Sequence, residues 1–329
     1  MRCIGKYSKI IALLSLTTVI TTGCSGVGSI FSGKDVVAEY ETENYNRKIY
    51  KGKLFASDLC VASGDVALKG VSSTETNTLH SAALFDVDGE KVDFSYQMFD
   101  KVYPASTTKI MTALIAMENA DLSDMVTVSQ DADVNNFASD EATCGIKEGD
   151  QIKLSDLLYG LLLHSGNDNA VAIADYIAGS EEAFAEMMNK EAKRLMATGT
   201  HFVNSNGLHN DDHYTTAYDL YLIFNECIKH EDFVKIIRAK SHTANITGSD
   251  GTVRSVTWEP TNFYATGEAE KPDNAKVIGG KTGTTKLAGN CLILLSEEND
   301  HPYISIIMNA DTKQLLYKDM SAVIEAIPE

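Results

Sequence analysis

Short runs rich in Ile, Leu and Val flank a long stretch whose apolar residues recur three and four apart, so strand-forming segments enclose a helical middle. On the N-terminal side, LHSAALFDVDGEKVDFSYQ reads as two strands joined through an Asp-Gly turn at Asp88 and Gly89. On the C-terminal side, KVIGGKTG, CLILLSEE and YISIIMNA are short β-branched runs separated by Gly, Asn and Asp. Between them the spacing predicts helices from about Ser106 to Glu118, Leu154 to His164, Asn167 to Ile177, Glu181 to Met196 and Thr216 to Lys229. A last helix, Thr312 to Ile327, gathers Leu315, Leu316, Met320, Val323, Ile324 and Ile327 on one side, as a sheet-covering helix does. The natural solution is α+β: one antiparallel sheet formed by the two ends of the domain, covered by helices, with an inserted helical lobe. There is no internal repeat.

The 329 residues, 44% of them hydrophobic, suffice for one large domain or two small ones with a real core. With 46 acidic against 28 basic side chains the formal charge is -18, which argues against nucleic acid as a partner and favours neutral or cationic ligands. Arg2, Lys6 and Lys9 precede an apolar stretch from Ile10 to Ile20 that ends in TTGCSG. That stretch is too short for a bilayer span, which needs about 20 residues. The small residue before Cys24 and the serine after it resemble the lipobox of bacterial lipoproteins, although Thr21 stands where that pattern has leucine or a similar residue. Residues 1–23 are therefore expected to be a lipoprotein-type signal peptide, residues 24–53 a flexible tether and residues 54–329 the folded domain. Conventional cleavage nearby is the other reading, and both export the chain. Cys60, Cys144, Cys227 and Cys291 are widely spaced, which suits either two disulfides or four buried thiols.

Three constellations carry chemistry. In VYPASTTKIMTALIAMENA, a helix is expected to begin near Ser106, with Ser106, Thr107 and Thr108 as capping types, and Lys109 enters an apolar interior. Ser106 and Lys109 lie one turn apart on one face, a nucleophile beside an amine; a capping serine before a snorkelling lysine has the same spacing. In LLYGLLLHSGNDNAVAIADYI, an apolar helix ends and Ser165, Gly166 and Asn167 form a polar turn, fit for proton relay and for binding an amide, or simply a capped connection. In VIGGKTGTT, the glycines of a candidate edge strand admit close backbone approach, Lys281 and Thr282 alternate, and an extended peptide could add as a strand.

SxxK, SxN and KTG in this order form the motif set of penicillin-binding proteins and β-lactamases. Together with THFVNSNGLHNDDHYTTAYDLYLIF and GGKTGTTKLAGNCLILLS, they make the chain resemble the serine D-alanyl-D-alanine carboxypeptidases of low molecular mass from about Leu54 to Thr312. The resemblance implies the penicillin-binding, β-lactamase-like transpeptidase fold. It implies an acyl-enzyme on Ser106 with Lys109 as base, activated by burial and by Lys281 as a second cation. Ser165 and Lys281 would return a proton to the leaving D-alanine and Asn167 would hold the acyl-side amide. Thr282 would bind the terminal carboxylate, and the amides of Ser106 and of Thr284, just after Gly283, would form the oxyanion hole. The implied substrate is a peptidoglycan stem peptide ending in D-Ala-D-Ala, with β-lactams as inhibitors, a lipid on Cys24 as membrane attachment at the outer face of the cytoplasmic membrane, and no cofactor or metal. A DD-endopeptidase, a penicillin sensor and a β-lactamase are the alternatives.

The sequence departs from that family in places. No arginine follows Arg254, so a substrate carboxylate would have to rely on another cation such as Lys313. Thr284 stands where bulkier residues are common, and the β-rich second domain and amphipathic C-terminal anchor of many relatives are not expected. HNDDH, with His209 and His213 four apart, could suggest zinc on a helix, but its Gly, Asn and Asp surroundings predict a loop.

Overall fold

Strands β1 (Ser81–Asp86) and β2 (Lys91–Tyr96) form the expected hairpin, and Gly89 sits in its turn, donating to Asp86 Oδ1. The structure is a computed structural model that describes residues 58–67 and 79–327. The signal segment, the tether and Cys24 lie outside the described residues. From Asp58 onward the chain is one compact unit.

The three C-terminal runs are strands β7 (Lys276–Thr285), β8 (Gly289–Glu298) and β9 (His301–Ala310). The sheet order is β2-β1-β9-β8-β7, antiparallel throughout, so the N-terminal hairpin pairs with the last strand, Ala82 opposite Ile307. Alternate residues along each strand face opposite sides. Ala82, Leu84, Leu292, Leu294 and Ile307 enter one core, while Ala83, Phe85, Ile293, Ile304 and Ile306 enter another. Both faces are covered, which is why β8 and β9 are largely apolar without alternation.

The smaller core belongs to the last helix (Lys313–Glu325), capped by the Thr312 side chain on Leu315 N–H. The larger core belongs to the helical lobe. Helix α1 (Lys109–Asn119) is buried from Lys109 to Ala116, and around it lie α2 (Leu154–Tyr159), α3 (Asn167–Ala178), α4 (Glu181–Arg194) and α5 (Ala217–Cys227). Among the described residues three short or late helices complete the set: α6 (Glu231–Ile237), α7 (Phe263–Thr266) and the sheet-covering helix, α8.

Two expectations require correction. A second antiparallel sheet exists, with β3 (Met125–Thr127), β4 (Gln151–Lys153), β5 (His242–Thr247) and β6 (Val253–Trp258) in that order. Its first two strands are too short to show a period, and the exposed positions of β5 and β6 are mostly polar, Thr243, Asn245, Ser255 and Thr257 beside Val253. The helix of the first motif starts at Lys109, not Ser106, because Ala105–Thr108 form a 3-10 turn with Ala105 at φ 46°. No side chain caps either segment; the Thr107 hydroxyl donates back to Pro104 O instead. The four cysteines of the domain are buried free thiols, and no disulfide occurs among the described residues.

Candidate active site

Two glycines let the 3-10 turn carrying Ser106 be gripped from both sides. Gly207 has φ +87°, and a Cβ there would stand 1.9 Å from the Ala105 carbonyl oxygen. Gly283 of β7 lies against the turn's other side, where a Cβ would come within 3.0 Å of Pro104 O, Ser106 N and Thr107 N. The sheet edge and the loop after α4 therefore close directly on the backbone around Ser106.

Lys109, at the start of α1, is completely buried. Its Nζ donates to Ser106 Oγ at 3.0 Å, Asn167 Oδ1 at 2.7 Å and the Asn206 carbonyl at 2.6 Å. Burial pushes its pKa from 10.5 down to about 7, against the upward pull of Asp168, Cys144, Glu181 and Glu141. An ammonium uses all three contacts as donor. A neutral amine has two N–H groups, which suit Asn167 and Asn206 and leave its lone pair facing Ser106 Oγ.

Lys281 on β7 is the second buried amine. It donates to Ser165 Oγ at 2.9 Å and to Thr282 O at 2.8 Å, and its pKa lies well below the ordinary value through burial first and Lys109 second. The sequence expectation had burial and Lys281 together driving Lys109 neutral, and only the second half needs correction. In the structure burial neutralises Lys109, and the repulsion between the amines falls on Lys281. Two ammonium groups in one dry site repel strongly, so Lys281 is the one held neutral.

Ser165 reaches Lys281 because α2 continues into a π-helical turn, Gly160–His164, that ends with Ser165 left-handed at φ 66°. Strain of this kind concentrates at functional positions. Asn167 opens α3, its N–H donating to Ala142 O and its Oδ1 taken by Lys109, so its amide nitrogen is the end left to a ligand.

Ser106, Ser165, Asn167, Thr282, Gly283 and Thr284 line one cleft of about 710 Å³. All eight domain residues that the resemblance assigns to the site thus meet at one place, Lys109 through Ser106 and Lys281 through Ser165. Thr282 Oγ1 stands 2.5 Å from Thr261 Oγ1, and Thr284 bonds Asn290 at 3.3 Å. β7 is an edge strand of its sheet.

Several members of the site carried no sequence signal of their own. Asn206 contributes a carbonyl, which any residue has; Thr261 pairs with Thr282 from a loop; Asp140, Glu141 and Lys286 line the cleft with Lys313. Lys313 Nζ lies 5.3 Å from the centre of the Phe263 ring. The histidines of HNDDH are separated in role. His213 accepts from Val203 N–H through Nδ1 and bonds Thr108 Oγ1 through Nε2, while His209 packs edge-on to Tyr103 at the cleft.

The family described as D-alanyl-D-alanine carboxypeptidase matches residues 69–312. The chain belongs to that family. It is 32% identical over 241 residues to the D-alanyl-D-alanine carboxypeptidase DacF of Bacillus subtilis, covering 70% of this chain and 57% of that protein. It is 33% identical over 245 residues to DacC of Escherichia coli, covering 72% of this chain and 58% of that protein. The chain thus spans under three fifths of the length of these curated relatives. Among solved structures, penicillin binding protein 6B from Escherichia coli superposes with a TM-score of 0.66 at 28% identity over 75% of this chain and 76% of that one. A Streptomyces DD-transpeptidase does so with a TM-score of 0.70 at 25% identity over 76% and 96%.

Proposed function

We propose that this protein is a serine DD-carboxypeptidase that removes the terminal D-alanine from peptidoglycan stem peptides through an acyl-enzyme on Ser106. The observation that carries the reading is the buried Lys109 amine, 3.0 Å from Ser106 Oγ with its pKa lowered to about 7. A general base works best with a pKa near the operating pH. Lys109 takes the hydroxyl proton as Ser106 attacks the carbonyl between the two D-alanines, and the oxyanion is held by the amides of Ser106 and Thr284.

The substrate enters as an added strand beside β7, its acyl-side amide on Asn167. Its terminal carboxylate meets the Thr282 and Thr261 hydroxyls, and with no arginine after Arg254 the charge there comes from Lys313 and Lys286, both on the cleft wall. Lys281, neutral and bonded to Ser165, relays a proton to the leaving D-alanine. Water then releases the shortened peptide. The family match supports this substrate class, and β-lactams would acylate the same serine. The protein is exported by the N-terminal segment and held at the outer face of the cytoplasmic membrane by lipid on Cys24.

The test pairs two readouts. A labelled penicillin is expected to acylate wild type at Ser106, to leave Ser106→Ala unlabelled, and a pentapeptide ending in D-Ala-D-Ala is expected to release D-alanine. Labelling of the alanine variant would remove Ser106 from its role, and labelling without D-alanine release would replace the enzyme by a sensor.

A further inference from the structure

We propose that Asp168 is a positioning residue for acylation: its carboxylate fastens the cleft-wall loop 142–146 to the Ser165–Asn167 turn and is the counter-charge for the buried Lys109 amine. The inference rests on the function proposed above. Asp168 follows Asn167 in α3 and is fully buried. Its Oδ1 accepts from Cys144 N–H and Asn169 N–H, each at 2.9 Å, and its Oδ2 from Cys144 at 2.9 Å, Gly145 at 2.9 Å and Ile146 at 3.2 Å. Successive backbone amides converging on one anion form a nest.

The nest is built into the cleft. Ala142 O accepts from Asn167 N–H at 2.8 Å, so the loop is tied to the turn at both of its ends. Ala142 and the two residues before it, Asp140 and Glu141, line the cleft. Gly166 completes the contact: a Cβ there would stand 2.6 Å from Cys144 Sγ and 2.8 Å from Asp168 Oδ1. An asparagine in place of Asp168 could offer one oxygen to these donors and would turn an NH₂ group against the others.

No lysine or arginine pairs with Asp168 among the described residues. Its charge is balanced by the amides at close range and by Lys109 at longer range, where it is the largest influence holding that amine's pKa up. Burial raises the Asp168 carboxyl while the amides of Cys144, Asn169, Ile146 and Gly145 hold it down. The other groups facing Lys109 are Glu181 from α4, Cys144 and Glu141 from the loop, Lys281 from β7, and His213. Cys144 stays a thiol because burial and Asp168 push its pKa far up, and His213 stays neutral because burial pushes its pKa down to about 3. Asp168 therefore opposes burial in setting how much neutral Lys109 is present, and it does so without touching the substrate.

The experiment measures the second-order rate of Ser106 acylation by a labelled penicillin from pH 5 to 10 in wild type and Asp168→Asn. Removing the negative charge lowers the Lys109 pKa, so the acid limb moves down by about one pH unit. Loosening the wall lowers the plateau by about tenfold. An acid limb that stays in place in the folded variant overturns the proposal, whatever the plateau does. Amide hydrogen exchange in wild type covers the case of a variant that fails to fold. Cys144, Gly145 and Ile146 are expected to exchange as slowly as the interior of α3, and fast exchange at these three overturns the proposal. Wild type that is not acylated at all refutes the enzymatic reading, a result distinct from either of these.

Discussion

Replacing Lys109 with methionine separates catalysis from stability in opposite directions. Methionine keeps the length and apolar stem of lysine and loses the amine. In the unfolded chain that amine titrates near 10.5, and in the fold near 7. The unfolded state thus binds more protons between pH 7 and 10.5, so wild-type stability is lowest at the acidic end of this window and rises with pH across it. At pH 7 the deficit is about 4 kcal/mol. Against it stand the three hydrogen bonds of Nζ, at about 1 kcal/mol each.

The balance leaves the methionine variant about 1 kcal/mol more stable at pH 7, a rise in Tm of about 2 °C for a domain of this size. Calorimetry at pH 7 and at pH 9.5 is the assay, with penicillin labelling of the same samples. The variant is expected to melt higher than wild type at pH 7 and to lose that lead by pH 9.5, while acylation falls by at least 10³-fold. A variant that melts several degrees lower at pH 7, with a gap that does not change with pH, would show that Lys109 is an ordinary charged lysine and refute its role as base.

Gly207→Ala would place a methyl group 1.9 Å from the Ala105 carbonyl oxygen at φ +87°, so the Ser106 turn must shift. Acylation is expected to drop by about 100-fold with a fall in stability of about 1–3 kcal/mol, read by labelling rate and by denaturant melts. The penicillin adduct on Ser106 is expected to persist for minutes while peptide acyl-enzyme turns over. On the cleft wall, Glu141 turns back to accept Ala138 N–H, and Asn274 of the sole Glu-x-x-x-Asn spacing between Asn167 and Lys281 bonds the end of α8 instead. Rapid hydrolysis of benzylpenicillin would refute this. Replacing Lys313 and Lys286 together by glutamine is expected to raise KM for the pentapeptide about tenfold with little change in kcat, and an unchanged KM would remove both from carboxylate binding.

The main sheet and its covering helix were legible because burial on two faces leaves a strong mark: CLILLSEE and YISIIMNA have no polar alternation to hide. The second sheet was not, since three-residue strands such as Met125–Thr127 are set by their neighbours and have no pattern of their own. Side-chain chemistry was legible at Ser106, Lys109, Ser165, Asn167 and Lys281 through motif spacing. Backbone chemistry was not. The Asn206 carbonyl that holds Lys109, and the amides of residues 144–146 that receive Asp168, are groups every residue carries, and only the path of the chain gives them a role.

That division has a physical source in where the site lies. The cleft forms where β7 meets the turn before α1, with the main sheet on one side and the helical lobe on the other. Both amines are fully buried at this junction, and burial is the largest cause lowering the pKa of each. On the proposed function, the activation of Ser106 is therefore a property of the closed interface between sheet and lobe. On that reading, a small opening at Gly207 or Gly283 would rehydrate both lysines, restore their charge and stop acylation of Ser106 before the Lys109 or Lys281 side chain had moved far.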